Sequence, residues 1–291
     1  MKMFMKDLSQ RCFAVFRWSV LIVTAASLSA SISYANPPSC ADIFIDGLQS
    51  NRNGYVRFGY NARLIDSPTS VLYVRDALIN PWSQTKSCGN QHCIALGSSG
   101  PRLYGPPFKT TTATATANVP PHNKLTLGET AYEFGNVNIE EWGTGEFSSV
   151  HTEYVIDTLT MSYKSTLRLP AGTYWIKKLN LEVDGKIDVL GDGSVIFFVM
   201  ESFTLPLNFK INAGSKNPAK FGIYAYDNVD FYVDSRTYAF VHIERLAKLH
   251  YKSAVVGSVV AHETELLTES QVRYDPTAAQ ALNFGSMCHP L

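Results

Sequence analysis

Three windows near the carboxyl end of the chain share one pattern of apolar and acidic positions. The windows are residues 224–240, 241–257 and 260–276. Their matching columns are Tyr224/Val241/Val260, Tyr226/Ile243/His262, Asp227/Glu244/Glu263 and Tyr238/Val255/Tyr274. A period of about 17 to 20 residues is typical of a β-solenoid, in which each coil circles the core once and stacks about 4.8 Å above the previous coil.

Short strand-like runs fill most of the remaining sequence. Apolar and polar residues alternate over a few positions, turn-forming clusters separate the runs, and the chain contains 15 Tyr and 16 Phe. Residues 243–252 have helix-like apolar spacing, but the repeat register assigns them to a strand. The sequence therefore predicts an all-β chain, a parallel, β-helix-like solenoid with an N-terminal disulfide-containing strand region. A β-sandwich is the alternative, although it leaves the repeated columns to chance.

The first 35 residues have the features of a secretory signal peptide. Lys2, Lys6, Arg11 and Arg17 precede an apolar run that closes with small residues at Ser33 and Ala35. We therefore expect residues 1–35 to be cleaved and residues 36–291 to form a single exported domain in the periplasm, at the outer membrane or on the cell surface. No later apolar run is long enough to span a bilayer, so no transmembrane segment is expected after cleavage.

Within residues 36–291 the composition changes twice. Residues 36–98 predict N-terminal strands, and we expect residues 36–60 to cap one end of the stack, held there by Cys40. Residues 99–128 are rich in Gly, Pro and Thr and predict a surface excursion. Residues 129–291 predict the solenoid coils.

Four cysteines remain after removal of the leader, an even number in a chain bound for an oxidising compartment. Three pairings are possible. We favour Cys88 with Cys93, which closes a short loop, and Cys40 with Cys288, which ties the two ends of the domain. The C-x4-C spacing matches no strong zinc pattern, and no cofactor or metal is expected. Leader removal also leaves 21 basic and 24 acidic residues, which argues against a nucleic-acid partner.

Several short motifs together resemble the amino-terminal region of MshQ-like proteins, which accompany the mannose-sensitive haemagglutinin type IV pilus of Gram-negative bacteria. The motifs are SCADIF (39–44), FGYNARLI (58–65), CGNQHC (88–93), LPAGTYW (169–175) and the stretch 255–275. The resemblance implies an exported, solenoid-like protein of pilus biogenesis or surface adhesion, with no catalytic residues to transfer. Longer family members continue into a lectin-like sandwich, whereas this sequence stops at Leu291.

Two groups of side chains are candidates for ligand contact. Glu140, Glu141 and Trp142 are consecutive and place two carboxylates beside an aromatic ring that could stack on a sugar. The adjacent carboxylates of Glu140 and Glu141 should, however, point to opposite faces of a strand. The column Asp227, Glu244 and Glu263 would form an acidic ladder that calls for a cation, or else a solvated turn.

These observations predict a non-enzymatic binding or structural protein of a surface appendage. The expected partners are pilus or envelope assembly proteins, or surface glycans. The alternative is a polysaccharide-binding or polysaccharide-degrading β-helix protein, a lyase or hydrolase, which would need acid and base groups converging on one groove.

Overall fold

The computed structural model describes residues 40–79, 87–88, 91–101, 103–282 and 288. The predicted signal peptide, residues 1–35, lies outside these residues. Two short helices are present, α1 (Cys40–Ile43) and α2 (Pro276–Gln280), together with a 3-10 turn (Pro218–Lys220). The remaining regular elements are strands.

The strands, in chain order, are β1 (Leu48–Ser50), β2 (Tyr55–Phe58), β3 (Arg63–Ile65), β4 (Val71–Leu72), β5 (Asp76–Ile79), β6 (Ile94–Ala95), β7 (Thr116–Val119), β8 (Lys124–Leu127), β9 (Glu133–Ile139), β10 (Thr144–Phe147), β11 (Glu153–Met161), β12 (Thr166–Leu169), β13 (Gly172–Leu181), β14 (Lys186–Val189), β15 (Val195–Val199), β16 (Phe203–Leu205), β17 (Lys210–Ile211), β18 (Phe221–Ala225), β19 (Val229–Phe231), β20 (Arg236–Leu249), β21 (Ala254–Leu266) and β22 (Gln271–Arg273).

The paired strands are parallel and stack into a β-solenoid of about ten turns, as the repeat predicted. Three faces follow from the pairings. Face A contains the starts of β9, β11 and β13, then β15, β18, the middles of β20 and β21, and β1. Face B contains β7, the ends of β9, β11 and β13, then β16, β19, the ends of β20 and β21, β2 and β5. Face C contains β8, β10, β12, β14, β17, the starts of β20 and β21, β22 and β3.

The order of coils in space differs from their order in the chain. The stack begins at β7 and β8 and continues to β21 and β22, and β1, β2 and β3 then add a further coil beyond them. β5 pairs with β2 beyond that coil. The described part of the segment expected to cap the stack, residues 40–60, contains β1 and β2, and β2 has a strand on either side, β21 and β5. The predicted surface excursion, residues 99–128, likewise contains the first coil.

One corner, between faces B and C, has the same backbone conformation in nine successive coils. A residue with φ between 53° and 61° occupies it each time, and its N–H donates to a carbonyl of the next coil in eight of them. The residues are His122, Trp142, Lys164, Asp184, Asn208, Asp234, Lys252, Glu269 and Asn61. A left-handed residue bends the chain sharply in one step, so a short polar turn is enough to carry it from face B to face C.

Another bend falls within β21, where Gly257 has φ 130°. A Cβ atom there would lie 2.1 Å from the Ala239 carbonyl oxygen of the preceding coil. Only glycine fits this close approach, and the bend lets one continuous strand contribute to more than one face. The stretch VVGSVVAHETELL is thus most of one coil. Its apolar residues Val259 and Val260 lie on face A, and Leu266 lies on face B.

The core of the solenoid is a stack of apolar side chains that point inward from the three faces. Aromatic rings form a ladder through it, with Tyr154 and Tyr174 stacked at 5.3 Å and Phe197 and Phe221 packed edge to face at 5.0 Å. Burial of such rings from successive coils provides the main stabilisation of a repeat fold, since no coil can bury its apolar face alone.

A second apolar layer covers the outside of face A. Trp175 is 4% exposed and stacks on Phe198 at 4.2 Å. The helices α1 and α2 and the crossing segment 103–108 pack over this layer. Tyr226 donates to the Pro106 carbonyl at 2.5 Å and holds that segment in place.

Both predicted disulfides are present. Cys40 is bonded to Cys288 and joins α1 to the carboxyl-terminal region, and Cys88 is bonded to Cys93. The first bond spans 248 residues of sequence and the second spans five. No helix among the described residues is both long and apolar enough to cross a bilayer.

Candidate functional site

Trp142 occupies the left-handed corner of the coil formed by β9 and β10, with φ 60° and 46% of its surface exposed. His122 of the preceding coil stacks on the indole with ring centres 6.1 Å apart, and the Lys164 ammonium lies 4.4 Å from the indole centre on the following coil. Tyr163 packs edge-on at 6.0 Å. The ring is therefore held within a ladder of corner side chains, while part of it faces solvent.

Glu140 and Glu141, which precede Trp142, have different partners. Glu140 accepts a hydrogen bond of 2.8 Å from Nδ2 of Asn118, whereas Glu141 accepts one of 3.1 Å from Nε1 of Trp142. A glycosidase pair must face across a single bond. These two carboxylates instead stabilise neighbouring turns, and Trp142 lies next to them at the edge of face B.

The column Asp227, Glu244 and Glu263 does not form, and the correction has a clear physical cause. Tyr224 pairs with His242 and His242 with Val260, so the coils step by 18 residues on face A. A bulge between Ile243 and Leu246 then shortens the step, and Glu263 pairs with Leu246. The sequence windows that begin at residues 224, 241 and 260 are 17 and then 19 residues apart, so they place Val241 beside Tyr224 and misalign the acids.

Each of these acids has a separate partner. Asp227 forms an ion pair with Arg245 at 3.2 Å, and Glu263 lies 3.7 Å from His262. Glu244 contacts Arg52 and the hydroxyl of Tyr224. Burial is the main cause that raises the pKa of Tyr224, and the hydrogen bond to Glu244 raises it further. Glu244 therefore joins the N-terminal coil to the interior coils, which is a structural role.

The residues described by the structure contain no group of three or more His, Cys, Asp or Glu side chains placed to hold a metal ion. They do contain a cleft of about 540 Å³ between the crossing segment and face A, lined by Phe108, Lys109, Glu153, Trp175 and Phe198 among others. Lys109 bridges its mouth with an ion pair of 2.7 Å to Glu153. The buried indole N–H of Trp175 has no hydrogen-bond partner among the described residues.

A set of polar residues on face B was missed by the sequence reasoning. Successive coils contain TANV, NVNI, TLTM and KLNL at the same position, and in each the second and fourth residues point inward. The first and third residues point outward and are Asn or Thr in seven of eight cases. The alternation itself was visible in the sequence, but only the register shows that the four segments are adjacent.

Comparison with known proteins finds no matching family model, no matching curated protein and no matching solved structure. The resemblance to MshQ-like proteins stays a prediction.

Proposed function

We propose that this chain is a non-enzymatic binding component of the bacterial envelope or cell surface, associated with type IV pilus biogenesis or adhesion. Its partner would be an assembly protein that adds a strand to the first coil of the solenoid. The open edge of that coil is the observation that carries the proposal, and the resemblance to MshQ-like proteins supports the pilus setting.

The first coil is paired on one side only. Among the described residues, β7 pairs with β9 and β8 with β10, and neither has a second neighbouring strand. The carbonyls of Asn123 and Leu127 accept hydrogen bonds from the coil of β10. Because backbone groups alternate along a parallel strand, those of Lys124 and Thr126 point to the open side.

The same end exposes apolar surface that the other coils bury. Leu125 pairs with Gly145, and a Cβ atom on Gly145 would lie 2.8 Å from Ile139, inside the core. Because paired residues face the same side of the sheet, the side chain of Leu125 also points inward and lies over the end of the core. Its side chain is 41% exposed. An unpaired strand edge beside exposed apolar surface is a template for β-augmentation, in which a partner strand supplies main-chain hydrogen bonds and covers the core.

Affinity capture with cross-linking from the native envelope tests this proposal. Thr126→Pro removes the N–H that faces the open side, and Thr126→Ala, the matched control, keeps it. We expect an envelope protein that cross-links to β8 of the wild type and of Thr126→Ala, with loss of that cross-link in Thr126→Pro. Equal capture by both variants, or retention of polysaccharide alone, would contradict a strand-adding partner.

A further inference from the structure

Face B presents two outward columns of polar side chains, uncharged except for Lys178, over its first four coils. The pairing is in register, so equivalent side chains lie about 4.8 Å apart along the stack. One column is Asn118, Asn138, Thr160 and Asn180. The other is Thr116, Asn136, Thr158 and Lys178. Such columns form a flat, regular array of amide and hydroxyl groups.

The same face changes character after the fourth coil. Beyond Thr204 the outward residues in register are Asp230, Lys248, Glu265 and Arg57. Glu265 lies 3.1 Å from Arg57 and 4.0 Å from Lys248. Alternating charges stabilise the stacking of neighbouring strands directly. In the first four coils, among the described residues, Asn180 donates to Thr160 at 3.4 Å, Asn118 to Glu140 at 2.8 Å and Thr158 to Asp157 at 3.4 Å. The remaining hydrogen-bonding groups of the two columns face outward.

A cleft interrupts the sheet where the two halves meet. β13 pairs with β15 only through Gly172–Ile176, and β16 pairs only with β19, so the end of β13 and β16 face each other without a hydrogen-bonded ladder. The opening has a volume of about 330 Å³ and is lined by Asn180, Ser202, Thr204 and Asp230 among others. Unladdered backbone groups in a cleft need hydrogen-bond partners from outside the sheet.

We propose that face B, from β7 to the cleft beside β16, binds a neutral polysaccharide that runs along the stack. Amides and hydroxyls donate and accept hydrogen bonds, which matches the hydroxyl groups of sugars. A repeating polymer can engage equivalent side chains on successive coils, and the cleft can receive one sugar unit. The patch has one Lys and no cluster of basic residues, which disfavours anionic polymers.

This site is distinct from the open edge of the first coil, because its side chains project from the face. It therefore does not depend on the proposed assembly partner. Purified protein and purified polysaccharides suffice to test it, so failure to capture an envelope protein and failure to bind a glycan are separate results.

The test is retention on insoluble chitin and cellulose, and affinity electrophoresis in mannan and dextran, with anionic alginate for comparison. Asn180→Asp and Thr160→Val alter the array with little change in side-chain volume. Thr277→Val, at an exposed threonine of α2 outside face B, is the matched control. We expect at least one neutral polysaccharide to bind, at similar strength in low and high salt, with affinity reduced about tenfold or more by either site variant.

Three results would overturn the inference. They are no binding to any of the four neutral polysaccharides, binding to alginate alone with loss at high salt, and equal binding by wild type and both site variants. Melting curves establish that each variant is folded. Asn138→Asp, one column position away from Thr160, replaces any variant that is not, with the same expected loss.

Discussion

At the residue scale, Asp46 is a buried carboxyl group whose pKa is raised well above the ordinary value for aspartate. It is 1% exposed, and its Oδ1 accepts hydrogen bonds of 2.6 Å from both the Gly47 N–H and the Ser67 hydroxyl. Burial raises the pKa of its carboxyl to about 6, against the lowering effect of those two bonds. The folded protein therefore holds a proton between about pH 4 and pH 6 that the unfolded chain releases.

The expected consequence is a loss of stability as the pH rises through this window. Asp46→Asn mimics the neutral acid, so we expect the variant to lose the pH dependence of the unfolding free energy that Asp46 causes, which is on the order of 3 kcal/mol at most. The variant should therefore be more stable than wild type at pH 7. Urea unfolding at several pH values measures it. Asp192→Asn, at a fully exposed carboxylate, is the control. If the unfolding free energy of Asp46→Asn falls with pH as steeply as that of wild type, Asp46 is not its cause.

At the scale of elements, the two helices act as a clasp on the outside of face A. Residues of α1, α2 and the crossing segment share one apolar cluster with Phe240 and Val260, and the Cys40–Cys288 bond joins the two ends of the domain. Tyr274 donates to the Phe44 carbonyl at 2.7 Å and adds a second link. The N-terminal coil is thus held against the carboxyl-terminal coil by strand pairing, a disulfide and side-chain packing together.

Loss of the long disulfide should therefore matter more than loss of the short one. A bond that closes 248 residues restricts the unfolded chain far more than one that closes five, by roughly 5 against roughly 2 kcal/mol in the chain-entropy account. We expect Cys40→Ser with Cys288→Ser to lower the melting temperature more than Cys88→Ser with Cys93→Ser. Thermal melts of both double variants decide it, and equal shifts would count against the clasp.

At the scale of the whole molecule, stability should vary along the stack. Coils contact only their neighbours, so an end coil with one neighbour opens more readily than a coil with two. β7 and β8 form one end and carry the exposed Leu125, whereas β11, β13 and β15 are covered on both sides.

Hydrogen exchange followed by mass spectrometry tests this gradient. We expect amides of β7 and β8 to exchange fastest among the strands, amides of β13 and β15 slowest, and β1 to be protected by its pairing with β21 and the disulfide clasp. Uniform protection from β7 to β21 would show that the stack opens only as one unit.

The sequence by itself predicted the solenoid, with a β-sandwich as the alternative, and favoured the two disulfides that are present among three possible pairings. Inward apolar residues at every second position, turn residues between strands and a recurring period are local properties, and each coil satisfies them independently. The even set of four cysteines and their spacing limited the pairings in the same way. The strand and turn features depend on short segments whose preferences do not change with distant contacts, whereas the Cys40–Cys288 bond joins residues 248 apart in sequence.

Only the tertiary structure decided the register and the order of the coils. The 18-residue step between coils removed the acidic column, because it places Asp227 opposite Arg245 and not Glu244, and a shift of one residue moves a side chain to the other face. The placement of β1 beyond β21 depends on contacts more than 100 residues apart in sequence, such as that of Leu48 with Val259. The columns of face B and its cleft follow from that register, so no local pattern in the sequence could locate them.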